Sequence, residues 1–467
     1  MKMLRLQSGK IETTTPKQER NIMKKIKLFA VLVMAAVVAS GVFAAEKKVD
    51  SGSRVLGKTD KCPISYKVGE EITFTITPIV KNLPEGKYFV KYVLDADGNA
   101  AGKQTGKVDA SKGEIILKTK MSKPGFVRVV AKLVNEKGRV VKRFKKGSKK
   151  PVDVAFNGGA GVEIEKLEGV KEPSDFDAYW ASQKERLAKV PVKADMKLIK
   201  TVRGVNIYAV SVACAGPRPV TGYLTVPANA KAGSLPASAH YQGYGTKIQK
   251  APKSGSNDRI HFFVNAHGYD LEKDDAYYTE FLKSIRTGGK NYAMNPAENK
   301  DRDAAYFNGM VLRVMRSLEF LRSLPEWNGK ELNVSGGSQG GLQSLWAAGL
   351  DDKVTACYPG IPWCCDLGGR ELGRIQPTWG VPYFSPSMDY YDAAIHAKRI
   401  KCPVVITRAG IGDYTCPPSG IAVAYNNIKS PKKIYWVQGS THGYIPDEVK
   451  RLPRGCEGEG VYVVESK

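Results

Sequence analysis

The chain has 467 residues, 42% hydrophobic and 25% charged, and carries a formal net charge of +26. This is the composition of an ordinary globular protein, with enough length for two or three domains and a large core. The basic charge is concentrated early, with 25 Lys and Arg against 12 Asp and Glu over residues 46–155. No recognised nucleic-acid motif accompanies it, so a solvated basic face turned towards an acidic polysaccharide or the cell envelope is expected, and no nucleic-acid partner.

The first 45 residues stand apart. Met23-Lys24-Lys25-Ile26-Lys27 is a charged start, 28–38 is a short apolar run, and Val42-Phe43-Ala44-Ala45 supplies small residues for cleavage. This order predicts a secretory signal peptide cut near Ala44/Ala45, with Met23 as its true start and an exported, secreted or periplasmic product. The apolar run is too short for a transmembrane helix, so no stable membrane insertion is expected.

Residues 46–155 read as a small all-β domain. Glu71 to Thr77, Lys87 to Leu94, Glu114 to Thr119 and Phe126 to Val134 alternate polar and apolar residues. Turn sequences separate them, among them Leu83-Pro84-Glu85-Gly86 and Lys123-Pro124-Gly125. Short strands at this spacing predict an immunoglobulin-like β-sandwich. Lys145 to Lys150 leads to a boundary, and Asn157-Gly158-Gly159-Ala160-Gly161 reads as a flexible joint.

From 156 to 467 helices and strands alternate, the pattern of an open, mostly parallel α/β sheet. Asp175 to Val190 is an amphipathic helix. Strands are expected over Val205 to Cys214, Val220 to Val226, Pro236 to Tyr241 and Arg259 to Ala266. Tyr306 to Leu324 is a helix by its apolar spacing, and Cys402 to Arg408 and Lys433 to Gln438 are later strands. Cysteines at 62, 214, 357, 364, 365, 402, 416 and 456 form neither a metal pattern nor a regular disulfide framework, and mostly buried free thiols with at most one bridge are expected.

Chemistry centres on Gly336-Gly337-Ser338-Gln339-Gly340, between a strand over Glu331 to Ser335 and a helix over Gly341 to Leu350. A serine at so sharp a strand-to-helix turn is a nucleophile elbow, and bulk on either side would block the turn. A serine hydroxyl needs a base and a carboxylate to orient that base, in the chain order Ser, Asp or Glu, His. Of the five histidines only His396 and His442 follow Ser338. His396 lies in a helical stretch and is expected at the surface. His442 follows a strand and a turn, at the carboxyl end where open α/β sheets place their sites. Asp413 is the first carboxylate after the strand that ends at Arg408; a turn aspartate bonding local amides is the alternative, and Asp447 and Glu448 fit the order less well. Two backbone amides must receive the oxyanion. Gln339, after the nucleophile, supplies one, and Tyr244 in Tyr241-Gln242-Gly243-Tyr244-Gly245 the other. The chemistry needs no metal and no cofactor.

From about Glu172 onward the chain resembles the acetyl xylan esterase/cephalosporin C deacetylase family, carbohydrate esterase family 7. The matching pieces are Asp175-Phe176-Asp177 with Tyr179-Trp180, Gly243-Tyr244-Gly245, Gly336 to Gly341, Gly412-Asp413 with Cys416-Pro417-Pro418, and His442-Gly443. The resemblance implies an α/β-hydrolase with Ser338, Asp413 and His442 as triad and the Tyr244 and Gln339 amides as oxyanion hole. It implies a secreted serine esterase acting on acetylated xylan or its oligosaccharides. The loop around His267-Gly268-Tyr269 departs from the family's Arg-Gly-x-Gly, the stretch Trp363 to Tyr383 is altered, and residues 46–155 lie outside the resemblance. Two other readings compete: a serine peptidase of the prolyl oligopeptidase type, and a glycan-binding protein with a vestigial hydrolase domain.

Overall fold

A computed structural model describes residues 50–144, 150–376, 382, 384–450 and 458–466. The leader over 1–45 lies outside them, as do most of Lys145 to Lys150 and part of Trp363 to Tyr383. Asp50 with the described part of 143–152 forms a small separate unit, in which Arg143 pairs with Asp50 at 3.1 Å. The rest, from Ser51 to Lys142 and from Asp153 onward, is one large unit.

Within the large unit, alternation along each strand builds a sandwich. Strands β1 (Arg54–Thr59), β2 (Glu71–Ile79) and β5 (Ile115–Lys120) form one sheet, and β4 (Gln104–Asp109), β3 (Tyr88–Ala96), β6 (Gly125–Asn135) and β9 (Ala155–Val162) the other. A short ribbon, β7 (Lys142–Phe144) with β8 (Pro151–Asp153), falls between β6 and β9 in the sequence and belongs almost wholly to the small unit. On β2, Ile72, Phe74 and Ile76 point inward and are fully buried, while Thr73, Thr75 and Thr77 point out. They meet Val127, Val129 and Leu133 of β6 in a core of their own. The glycine stretch 157–161, expected to be a flexible joint, is strand β9, paired along its length with β6. Its glycines answer to close packing: a Cβ at Gly161 would meet Ile164 and Phe126.

The larger sheet runs β10 (Ala194–Val202), β11 (Val205–Val212), β12 (Val220–Pro227), β14 (Ile260–Val264), β13 (Leu235–Tyr241), β15 (Trp327–Gly337), β16 (Ala356–Gly360), β17 (Val404–Gly410), β18 (Lys432–Val437), β19 (Val461–Ser466). The run from β14 to β18 is parallel, with antiparallel strands at both edges. Helices α1 (Phe176–Ala188), α2 (Asp275–Ser284), α3 (Tyr306–Ser323), α4 (Gln339–Leu350), α5 (Ala393–Ala397) and α6 (Pro418–Asn427) connect the strands. On α1, expected to be amphipathic, Phe176, Tyr179, Trp180 and Leu187 are all buried.

His396 is not at the surface. It is fully buried on α5, where Nε2 meets the Tyr390 carbonyl at 2.9 Å and the ring lies edge-on to Phe176. Burial pulls its pKa down to about 3, so it is a neutral core residue. The helical pattern was right, but all five residues of α5 are buried, and α5 packs against α4 so closely that a Cβ at Gly349 would stand 2.6 Å from the His396 carbonyl. The seven described cysteines are free thiols, five of them buried. Among the described residues no helix is long and apolar enough to cross a membrane.

Candidate active site

Four of the parallel strands deliver the five candidate residues at their carboxyl ends, where an open α/β sheet leaves a crevice. Ser338 follows β15, Asp413 follows β17, His442 follows β18, and Tyr244 lies in the loop after β13.

Ser338 has φ 57° and ψ −117°, a conformation that L side chains rarely adopt. The turn is tight enough to exclude side chains on both sides. A Cβ at Gly336 would lie 2.5 Å from the Gly340 carbonyl carbon, and one at Gly340 would overlap the Tyr241 carbonyl oxygen. The Ser338 amide bonds the Gly360 carbonyl at 2.9 Å, which pins the elbow to β16. Its side chain remains partly exposed.

Asp413 and His442 are brought together: His442 Nδ1 lies 3.0 Å from Asp413 Oδ2. The carboxylate is fully buried, and the imidazole remains about one-third exposed. Asp413 Oδ1 accepts the amides of Thr415 at 2.9 Å and Cys416 at 3.0 Å. One carboxylate oxygen thus serves the turn and the other meets the histidine. Fixed in this way, Oδ2 accepts the hydrogen bond of Nδ1–H, which places the ring's lone pair on Nε2. His442 sits at the tip of a short hairpin closed by Thr441 and Tyr444, whose amides bond one another's carbonyls at 2.9 and 3.3 Å.

Cys416 joins these pieces. Its sulfur lies 3.8 Å from His442 Nδ1, and its amide bonds Asp413 Oδ1. Burial pushes the thiol well above its ordinary pKa, so it stays protonated. Asp413, Cys416 and His442 place one oxygen, one sulfur and one nitrogen within 4.8 Å of each other, the one group among the described residues that could reach a common soft cation. The Asp413–His442 hydrogen bond already occupies two of those atoms.

The amide of Gln339 opens α4 and has no acceptor within the helix. The Gln339 side chain is buried and reaches back to the loop that carries Tyr244, with Nε2 3.4 Å from the carbonyls of both Gln242 and Gly243. Tyr292 completes the link. Its hydroxyl donates to Gln339 Oε1 at 3.0 Å and accepts the Gly245 amide at 2.9 Å, and its ring stacks on Tyr244 at 4.6 Å. His267, in the loop that departs from the family pattern, is buried between Tyr306 and Gly245: Nδ1 meets the Tyr306 hydroxyl at 2.9 Å and Nε2 the Gly245 carbonyl at 3.0 Å. Burial lowers its pKa to about 4, so it stands as a neutral strut under the Tyr244 loop.

The sandwich also reaches the site. The Gln438 side-chain amide pairs with both backbone groups of Gly159 on β9, at 3.1 and 2.8 Å. Arg128 of β6 stacks on the Tyr414 ring at 4.0 Å, beside Asp413. A Cβ at Gly412 would overlap the Asn157 carbonyl. Sequence reasoning found neither these contacts nor Tyr292. A lone Tyr in a loop and a Gln at a strand end carry no local signal; Cys416 lay in a quoted motif but with no role.

A mostly parallel sheet with antiparallel edges and a serine elbow at its centre defines an α/β-hydrolase-type esterase. The profile of the family described as Acetyl xylan esterase (AXE1) matches residues 163–370 and 384–452. Acetyl esterase Axe7A of Xylanibacter ruminicola is 30% identical over 387 residues, which cover 79% of this chain and 82% of that protein. Two solved structures share the fold. The acetyl xylan esterase of Paenibacillus sp. R4 has 24% identity and a TM-score of 0.52, covering 62% of this chain and 96% of that one. Acetyl xylan esterase 1 of Thermoanaerobacterium sp. JW/SL YS485 has 21% identity and a TM-score of 0.50, covering 62% and 95%. The chain belongs to the acetyl xylan esterase (AXE1) family and is a carboxylic ester hydrolase of carbohydrate esterase type.

Proposed function

We propose that the protein is an exported serine esterase that removes O-acetyl groups from xylan or acetylated xylooligosaccharides through an acetyl-enzyme on Ser338. The observation that carries this reading is the 3.0 Å pair of His442 with buried Asp413 at the ends of neighbouring parallel strands, with the Cys416 sulfur 3.8 Å from His442 Nδ1. The Ser338 oxygen attacks the acetyl carbonyl carbon while His442 Nε2 takes the hydroxyl proton. The oxyanion is received by the amides of Tyr244 and Gln339, a donor pair of which each member is worth on the order of 3–4 kcal/mol. As the carbonyl re-forms, the sugar oxygen leaves with the proton from His442. Water then attacks the acetyl-enzyme, again giving its proton to His442, and Ser338 departs with that proton as acetate is released.

The organisation proposed with it is a leader over 1–45 and an immunoglobulin-like sandwich from 46, followed by the esterase domain to 467. The division drawn after 155 moves to the end of β9, since that strand pairs with β6. Export follows from the leader, and the family match favours neither the peptidase nor the vestigial-binder reading. The test is acetate release from acetylated xylooligosaccharide and turnover of 4-nitrophenyl acetate by the wild type and Ser338→Ala. The wild type cleaves both and the variant neither. Wild-type turnover in the variant would sink the mechanism.

A further inference from the structure

A cleft of about 410 Å³ opens where the sandwich meets the end of β18. One wall is the outer face of β1 and β2, with Lys58 opposite Thr75 across the strand pair and Thr77 beyond. The other wall is the base of the His442 hairpin at Tyr444, with Tyr462 on β19. Phe156 lies at the bottom. Gly57 leaves room for its ring, since a Cβ there would stand within about 2.6 Å of it, and a Cβ at Gly439 would touch it at 3.5 Å.

The lining sets the chemistry of an occupant. Thr75 and Thr77 offer hydroxyls, and Tyr444 and Tyr462 offer aromatic rings. Among the described lining residues one cation, Lys58, is matched by one anion, Glu459, so their charges balance. Such a surface suits a neutral chain with hydroxyls at its edges and apolar C–H faces, and suits neither a polyanion nor an apolar helix. Placement gives it a purpose. Tyr444 closes the hairpin whose tip is His442, so an occupant lies against the loop that holds the base. The seam beneath is fixed by Gln438 on Gly159 and Arg128 on Tyr414.

We propose that this cleft is a subsite for the main chain of a neutral, hydroxyl-rich polysaccharide, so that the sandwich and the esterase sheet hold the glycan together. The proposal rests on the esterase reading above for the identity of that glycan. The test uses the full chain. Unacetylated xylohexaose is titrated calorimetrically into Ser338→Ala and into the same protein with Thr75→Trp, which fills the cleft from a partly exposed position on the outer face of β2. Lys58→Trp, from the exposed facing position, is the second blocking variant and guards against a folding defect in the first. Either block weakens xylohexaose binding by about tenfold or more. In the Ser338 background the same blocks raise KM for acetylated xylan roughly fivefold, with kcat and the 4-nitrophenyl acetate constants unchanged. A wild-type cleft that binds no xylohexaose at millimolar concentration, or blocked variants with unaltered binding and KM, would overturn the subsite. If instead xylohexaose binding responds to the blocks but no acetate is released from xylan, the subsite stands and the esterase reading falls.

Discussion

Gln438 is the place where the sandwich and the catalytic sheet are most directly tied. It stands at the end of β18, four residues before His442, and its amide meets the free edge of β9 as a neighbouring strand would. Nε2 donates to the Gly159 carbonyl at 2.8 Å and Oε1 accepts the Gly159 amide at 3.1 Å, both buried. Truncation to alanine removes two hydrogen bonds worth about 1 kcal/mol each, and leaves a buried N–H and C=O whose desolvation costs a further ~1–3 kcal/mol between them. Gln438→Ala should therefore lose about 2–5 kcal/mol of stability, the lower figure applying if water enters from the adjoining cleft. Glutamate is the sharper probe, because it keeps the shape and the acceptor but turns a carboxylate oxygen towards the Gly159 carbonyl. The assay is denaturant unfolding followed by tryptophan fluorescence, with kcat on 4-nitrophenyl acetate in parallel. Both variants should unfold earlier, and kcat should fall as the His442 loop loses its anchor. An alanine variant within about 0.5 kcal/mol of wild type, the usual scatter of neutral surface changes, would refute the reasoning.

Three further outcomes are expected. Asp413→Asn keeps its oxygen on the Thr415 and Cys416 amides, so its NH2 group faces His442 and forces the proton onto Nε2; kcat should drop on the order of 10³–10⁴-fold with little change in the unfolding midpoint. Tyr292→Phe removes the hydroxyl that joins Gln339 to Gly245, and should cost roughly fivefold in kcat for about 1 kcal/mol of lost positioning, with KM for a small ester held. Asp389 is raised to about 7 by burial and by the charge of nearby Asp366. The folded state thus holds that proton more tightly than the unfolded chain, whose carboxyl titrates near 4. Its stabilising contribution is complete below about pH 4 and is lost as pH rises through about 7, so the pH slope of unfolding free energy over that window should be shallower in Asp389→Asn than in wild type. Equal slopes would remove Asp389 from the account.

Local chemistry made the elbow readable. Glycines at 336 and 340 are dictated by atoms a few residues away in sequence or on the adjacent strand, and Asp413 and His442 each sit just beyond a strand with strong apolar character. The inward alternation of β2 and β6 announced a sandwich for the same reason, since a half-buried strand writes its burial into every second residue. Edge strand β10 went unseen because it is paired yet almost wholly exposed, so Asp195, Lys197 and Lys200 gave it no apolar period.

The sequence by itself determined the α/β fold of the esterase part and the strand-to-helix elbow at Ser338, because these depend on backbone geometry and on strand ends that neighbouring residues specify. Tertiary structure alone decided that His396 is buried, that glycines 157–161 form a strand rather than a joint, and that Cys416, Tyr292 and Gln438 brace the site. Those outcomes depend on contacts such as Gly159 with Gln438, 279 residues apart, where packing density rather than local propensity selects the partner.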